Sequence, residues 1–412
     1  MNINGIEIED LKEKYGTPLY IYDFDKIEEN IEEIKQAFMF GKDRSLIYYA
    51  MKANPHPAIL RLVKETGVGV DCVSPGEVEV ALRAGIDPDN ILYTGNYESK
   101  TDLKRVYNNK VRINLDSYSS FEKLIEIDVP EMISFRINPG EGAGKYKHIT
   151  TGGELAKFGL PMSQTLMAYK SALEAGVQKF GAHTFLGSGI LDEDHFPEVL
   201  ELLVEEIKNV RKEVGIKFEF LDIGGGFGIP YYEENRTLDM QKTGRRTLQK
   251  LDELVNEYDL GNPKLAIEPG RYIVGNAGYL ITNVTSVKES YRKYIGIDAG
   301  FNDLIRPALY GAEHSIEVDG KENISKTEKV DVCGQICENT DIFTRDRELP
   351  PLEEGDTLIF KQAGAYGSVM SMPYNMRMRA AEVGIKSGKE SLITRKETLD
   401  DFYRRIKTTD IQ

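Results

Sequence analysis

The stretch SLIYYAMKANPHP, Ser45–Pro57, holds a run of apolar and aromatic residues that stops at Lys52 and breaks at Asn54-Pro55. An apolar run with aromatic and β-branched content, closed by a proline turn, predicts a buried strand. Lys52 then sits at the C-terminal edge of that strand. A lysine there is costly unless it snorkels or reacts, because burial disfavours its charge. A desolvated lysine is nucleophilic and can form a Schiff base with a carbonyl. A surface lysine at a strand end is the commoner case, so the remainder of the chain has to decide between the two.

Working outward, PLYIYD at Pro18–Asp23 predicts a strand, and Phe24, Ile27, Ile31, Ile34 and Phe38 mark one face of a helix. Further strands are expected at 68–71, 91–94, 111–115, 132–136, 179–185, 218–222 and 264–268. With 45–50 that makes eight, and each of the first seven is followed by a helical pattern such as Phe196, Leu200, Leu203, Ile207 and Val210. Repeated βα units in a span of this size predict an α/β domain, a TIM-like (β/α)₈ barrel over 30–275. An open doubly wound sheet is the alternative. The count of eight, and ligand-type residues at several strand ends, favour the closed barrel. After Gly275 the texture changes to short, turn-separated β-runs: YLITNVTSV, YIGIDAG, KVDVCGQI and DTLIFKQAGAY. These predict a second, all-β domain, a barrel or sandwich over 276–412 that takes in 1–29. Glu397–Ile406 reads as a closing helix.

Composition narrows the function classes. The 412 residues carry a net charge of −15, which argues against nucleic acid and against an anionic membrane surface. No apolar run reaches the length of a bilayer span. The opening MNINGIEIEDLKEKYG has neither a basic n-region nor an apolar h-region, so no export signal is expected. Cys72, Cys333 and Cys337 are too few for a disulfide framework, which fits a reducing cytoplasm. Three thiols without clustered histidines make a poor zinc site, and no metal is expected. The Gly and Lys content of Ala143–Lys157 allows lid motion.

In such a barrel the site lies at the C-terminal ends of the strands, with phosphate commonly held after strands seven and eight. Strand seven ends in LDIGGGFG, Leu221–Gly228. Consecutive glycines let backbone N–H groups close on an anion with no Cβ in the way. The run satisfies neither G-x-G-x-x-G nor a Walker pattern, and a plain strand-to-helix turn is the other reading. Strand eight ends in Ile267-Glu268-Pro269-Gly270-Arg271. Barrel closure brings strand eight beside strand one, so Glu268 approaches the site that Lys52 faces. An amine, an anion cradle and a carboxylate around one mouth suit a phosphorylated aldehyde with a basic ring nitrogen, pyridoxal phosphate (PLP). An ordinary salt bridge is the plainer role for Glu268. Strand six, GAHTFLGS, puts His183 and Phe185 on one face, with Gly187 and Ser188 as further phosphate donors. Phe185 offers a ring to stack on the cofactor, whereas His183 also suits a packed, hydrogen-bonded histidine. Cys337-Glu338 follows a β-run. Such a cysteine is usually inert packing, but near an electrophilic centre it is a proton donor for a carbanion. Arg306 and Tyr310 suit a carboxylate, with surface pairing as the alternative.

Together, YGTPLYIYD, YYAMKAN, GVDCVSPGE, FRINPG, TGGELAKFG, LDIGGGFG, EPGRYIVG, RPALYGA, CENTDIFTRDRELP, GAYG and YNMRMRAAEV resemble the PLP-dependent decarboxylases on an alanine-racemase-like barrel, in particular the diaminopimelate decarboxylase family. The likeness covers nearly the whole chain. It implies that Lys52 carries PLP covalently and that Gly225, Gly226, Ser188 and Tyr366 hold the phosphate. It implies that Glu268 contacts the pyridine nitrogen, that Asp71 sits near the ring, and that His183, Phe185, Gly270 and Arg271 line the cofactor. Arg271, Arg306, Tyr310 and Tyr366 would bind the amino-acid substrate, Glu338 its distal ammonium. Cys337 would be the proton donor, supplied across a homodimer interface with shared sites. The expected reaction is decarboxylation of a diamino acid, most closely meso-diaminopimelate to L-lysine and CO₂. Racemases of this fold carry Arg at the ring nitrogen, so Glu268 favours decarboxylation. One departure stands out. The family reads His-Cys-His-Ile-Gly-Ser in strand six, and this chain has Phe185 at the second histidine and Gly189 where Gln is common. That keeps a D-ornithine/D-lysine-type or other diamino-acid decarboxylase open. A non-catalytic PLP-binding relative would be expected to lack Lys52 or Cys337.

Overall fold

The computed structural model describes residues 1–38, 44–140, 156–232 and 236–406. Most of the Ala143–Lys157 stretch, and so its expected lid motion, lies outside the described residues. By packing, the chain divides into two units. One is Glu28–Pro230 with Arg236–Ile273; the other is Met1–Ile27, Tyr231–Asn235 and Val274–Gln412.

The first unit is a closed barrel of eight parallel strands: β1 (Ser45–Ala50), β2 (Gly69–Cys72), β3 (Ile91–Gly95), β4 (Arg112–Leu115), β5 (Met132–Asn138), β6 (Lys179–His183), β7 (Phe218–Asp222) and β8 (Gly261–Ile267). Closure is explicit in the register, where Leu265 of β8 pairs with Ser45 of β1 and Ile267 with Ile47. A main-chain hydrogen bond of 3.2 Å from Ala50 N to the Pro269 carbonyl extends that seam to the mouth. Gly270 follows, and a Cβ there would stand 3.1 Å from both Ala50 Cβ and Ala53 Cβ, so only glycine passes without displacing the turn that carries Lys52.

The helices between the strands start where sequence chemistry puts them. Pro75–Arg83 is capped by Ser74, Lys100–Asn108 by Ser99 and Tyr118–Ile125 by Ser117, each hydroxyl accepting from a first-turn N–H. Such caps start each helix within a few residues of the strand before it. Inside the barrel, Tyr48, Leu92, Phe220 and Ala266 form one apolar layer. A polar chain crosses above it. Ser134 Oγ donates to Asn114 Oδ1 (2.7 Å), and Asn114 Nδ2 donates to Thr94 Oγ1 (3.2 Å), which satisfies groups that burial would otherwise penalise.

The second unit is a β-domain. The strand Leu19–Asp23 runs antiparallel to Gly278–Glu289 and parallel to Ala381–Lys386, so the N-terminal segment is built into the sheet as expected. Its core packs Leu19, Ile21, Ile281, Ile359, Val383 and Ile385. The C-terminal helix spans Leu399–Tyr403, closed at its start by a Thr398/Asp401 capping box. No helix among the described residues is long and apolar enough to cross a membrane.

Candidate active site

All the charged groups of interest in the barrel unit stand at C-terminal strand ends. β1 runs into a single 3₁₀ turn, Met51–Ala53, and Lys52 projects from it. Its Nζ lies 3.2 Å from Oδ2 of Asp71, the fully buried carboxyl near the end of β2. Across the mouth, His183 ends β6 and Glu268 follows β8. His183 Nε2 and Glu268 Oε1 are 3.3 Å apart, with both side chains buried. Asp222 ends β7, fully buried, and one ligand-type atom from each of His183, Asp222 and Glu268 falls within 4.8 Å of the others.

Three buried acids around one mouth cannot all ionise. Burial, and then the Glu268 charge, push Asp71 up to about 7, with Lys52 opposing. Asp222 is pushed well above the usual carboxylate range by burial and by Glu268. Burial acts on Glu268 too, and it pushes the His183 imidazole toward its neutral form, but the His183 contact and the charges of Lys52 and Arg136 outweigh it and hold this carboxyl ionised. The mouth thus contains one committed anion, Glu268, and two acids whose protons burial retains.

The glycine loops after β6 and β7 interlock backbone to backbone. Asp222 Oδ1 accepts from Gly224 N at 2.8 Å, and the Gly224 carbonyl accepts from Glu268 N at 2.8 Å. Ile190 N donates to the Gly226 carbonyl at 2.9 Å, and Gly228 N to the Ile190 carbonyl at 2.8 Å. A Cβ on Gly225 would stand 2.3 Å from the Glu268 carbonyl oxygen, and one on Gly226 would stand 2.6 Å from that of Gly187. Gly226 also has φ of +98°. The run is therefore obligatory backbone, as an anion cradle requires. Ser188 is exposed on the facing loop, and Phe185 is half-buried beside it.

The residues fit PLP. Asp71 Oδ1, Asp222 Oδ2, Glu268 Oε1 and His183 Nδ1 are buried polar atoms with no hydrogen-bond partner among the described residues, and they share the mouth with an amine and a glycine cradle. Two contributors escaped the sequence reading. Arg136, on β5, stacks its guanidinium 4.5 Å from the Phe158 ring and 5.8 Å from the Phe185 ring, and it is one of the cations that ionise Glu268. Asp222 organises the glycine turn. Both stood in quoted motifs, FRINPG and LDIGGGFG. The signal available was a charged residue placed at the end of an otherwise apolar strand.

The remaining candidates, Arg271 apart, lie in the β-unit. Arg306 is buried, with Nη1 2.8 Å from His314 Nε2 and its guanidinium 4.9 Å from the Tyr231 ring. Arg has no acceptor, so His314 Nε2 accepts and Nδ1–H donates to the Lys361 carbonyl at 2.9 Å. Tyr310 is exposed at the end of the short helix Arg306–Tyr310. Tyr366 is half-buried with φ of +57°. Cys337 and Glu338 are exposed on a loop, with Cys337 N donating to Asn375 Oδ1 (2.8 Å) and Tyr374 donating to Glu338 Oε1 (2.9 Å). Arg271 opens the short helix Arg271–Val274 at the barrel's end.

Comparison with known proteins agrees with this chemistry. Residues 24–275 match the family described as "Pyridoxal-dependent decarboxylase, pyridoxal binding domain". The chain is 45% identical over 404 residues to diaminopimelate decarboxylase of Methanothermobacter thermautotrophicus, covering 98% of this chain and 94% of that protein. It superposes on the M. jannaschii diaminopimelate decarboxylase structure in complex with L-lysine with a TM-score of 0.91 at 32% identity, covering 100% and 96% of the two chains. For the Helicobacter pylori enzyme complexed with L-lysine the TM-score is 0.86 at 34% identity, covering 97% and 99%. With the barrel, its lysine and its acid-lined mouth in place, the chain belongs to the PLP-dependent diaminopimelate decarboxylase family.

Proposed function

We propose that this protein removes CO₂ from meso-diaminopimelate to yield L-lysine, using PLP. The observation that carries the reading is the joint placement at one barrel mouth of Lys52 on Asp71 and of Glu268 on His183. When bound, PLP supplies an aldehyde carbon for amines and a cationic ring that accepts the electrons left by a departing carboxylate.

Each side chain then has a task. Lys52 Nζ would hold the cofactor through its aldehyde carbon. Asp71, whose proton affinity is raised to about 7, exchanges a proton with that Nζ at neutral pH. Glu268, held ionised, keeps the ring nitrogen protonated. The backbone of Gly225 and Gly226, with Ser188 and Tyr366, holds the phosphate, and Gly270 leaves room for the Lys52 turn. Phe185 covers a ring face by π overlap, and His183 keeps Glu268 oriented. Arg271, Arg306 and Tyr310 bind the substrate's distal carboxylate, Tyr366 also contacts the substrate, and Glu338 binds its distal ammonium. Cys337 Sγ delivers a proton to Cα after CO₂ departs, so the carbon exchanges its carboxylate for hydrogen with no net redox change.

Cys337 acts across a homodimer, each site drawing on two chains. The exposed Cys337, Glu338 and Tyr310 support this, because groups that serve a site need a partner surface to exclude water. The protein is a cytoplasmic biosynthetic enzyme in this reading, supported by its three unpaired cysteines. Phe185, where the family has histidine, favours one second reading, a decarboxylase for another diamino acid. Purified protein assayed for CO₂ release from meso-diaminopimelate, D-lysine, D-ornithine and L-ornithine decides between them. Turnover of meso-diaminopimelate is expected. Silence on it beside brisk turnover of another substrate would transfer the assignment.

A further inference from the structure

Cys337 and Glu338 stand on an exposed loop, where side chains ordinarily sample several rotamers. Their surroundings are nonetheless built from three mutually anchored segments. The Asp341 carboxylate closes the first: Oδ2 accepts from Ile336 N and Oδ1 from Phe301 N, each at 2.7 Å. A Cβ on Gly334 would stand 2.4 Å from Asp341 Oδ2, so the loop wraps onto that carboxylate without room to spare. The Phe301 segment is thereby tied to the Cys337 loop. The third segment joins through Met372 N, which donates to the Asn302 carbonyl at 2.9 Å. From it rises the turn Tyr374–Met376.

That turn meets the Cys337-Glu338 pair residue for residue. The Tyr374 ring stacks on Phe301 with centroids 5.7 Å apart and planes 18° from parallel, and its hydroxyl donates to Glu338 Oε1 at 2.9 Å. Asn375 Oδ1 accepts from Cys337 N at 2.8 Å. The backbone is left-handed at two successive non-glycine residues, Asn375 (φ +51°) and Met376 (φ +57°). Asn tolerates that conformation; Met does not, and needs the surroundings to impose it. An exposed hydrogen bond contributes little to stability. Its worth here lies in direction: a stacked, planar phenol has one position for its oxygen, so it selects one orientation of the Glu338 carboxylate and leaves the second oxygen for a cation.

We propose that Tyr374 is a positioning residue that aims Glu338 at the distal ammonium of the substrate, with Asn375 holding the Cys337 backbone in register beside it. The inference rests on the assignment of Glu338 made above. Phenylalanine at 374 retains the stack on Phe301 and removes only the hydroxyl. Tyr374→Phe is expected to raise KM for meso-diaminopimelate roughly fivefold and to weaken L-lysine binding in titration calorimetry by a similar factor. The kcat, the cofactor absorbance and the melting temperature stay at parental values, which a merely structural role would move. Glu338→Gln raises KM further, and the double variant Tyr374→Phe/Glu338→Gln matches Glu338→Gln alone, because the hydroxyl acts through that carboxylate. Phe301→Leu, which loosens the stack but keeps the hydroxyl, gives a smaller rise in KM of the same kind. Additive effects in the double variant, or a lowered kcat with unchanged KM in Tyr374→Phe, overturn the proposal while leaving Glu338 in place. An unchanged KM and L-lysine affinity in Glu338→Gln overturns the assignment of Glu338, and the proposal with it.

Discussion

The barrel mouth and the Cys337 loop solve the problem of holding reactive groups in opposite ways. At the mouth, Asp71, His183, Asp222 and Glu268 are buried, and their states of ionisation follow from desolvation and from one another. On the loop, Cys337 and Glu338 are exposed, and one hydrogen bond given to a neighbouring turn and one received from it set their geometry. Burial tunes proton affinity but tolerates no unpaired change. Exposure makes orientation the variable. Substitutions in the two regions should therefore fail differently, the first through charge and the second through aim.

The largest effect tests the mouth. Lys52→Ala should lower decarboxylation by roughly 10⁴-fold or more, and borohydride reduction followed by mass spectrometry should find no cofactor attached to the chain. Attachment at another lysine would break the assignment. On the loop, Cys337→Ala should lower kcat by about 10³-fold while cofactor affinity stays parental. A Cys337→Ala enzyme at full rate would remove this thiol from the reaction. Glu268→Gln keeps the shape of the acid and removes its charge, so about 10²-fold is expected in kcat, with a shifted cofactor absorbance that Cys337→Ala lacks. Identical spectra for the two variants would erase the distinction between the regions.

The smallest effect concerns stability. In the fold Asp71 holds its proton up to about pH 7, whereas the unfolded chain loses it near pH 4. Between those values the folded state binds the extra proton, so the stability tied to Asp71 is present below about pH 4 and is lost as pH rises through about 7. Asp71→Asn removes this dependence. Urea unfolding of the cofactor-free proteins should show the variant gaining steadily on the parent as pH rises across that window. Parallel pH profiles would mean that Asp71 is ionised throughout, stabilised by Lys52.

Much of this was legible in the chain, for reasons that differ by element. The eight barrel strands could be read because each is a short apolar run ending at a turn signal, and β1, with its Pro55 break, shows the pattern most clearly. Lys52, Glu268 and the Gly224–Gly226 run could be read because reactive types interrupt apolar strands at their C-terminal ends. Arg136 and Asp222 have the same signature, yet their roles depend on partners from other strands: Phe158 and Phe185 for one, Gly224 and Glu268 for the other. Tyr374 and Asn375 stood in the quoted run YNMRMRAAEV, yet nothing in that run pointed to Cys337 and Glu338, 36 to 38 residues away.

What the sequence determined alone is the alternation of strand and helix, the two-part organisation and the chemical types at the strand ends, since these follow from periodicity and composition within a few residues. Tertiary structure alone decided which of three buried acids stays ionised, why Gly225 and Gly226 admit no side chain, and what directs Glu338. The physical reason is range: hydrophobic patterning is written into neighbouring residues, whereas desolvation, charge coupling and hydrogen-bond direction arise only when residues far apart in the chain are brought within a few ångströms.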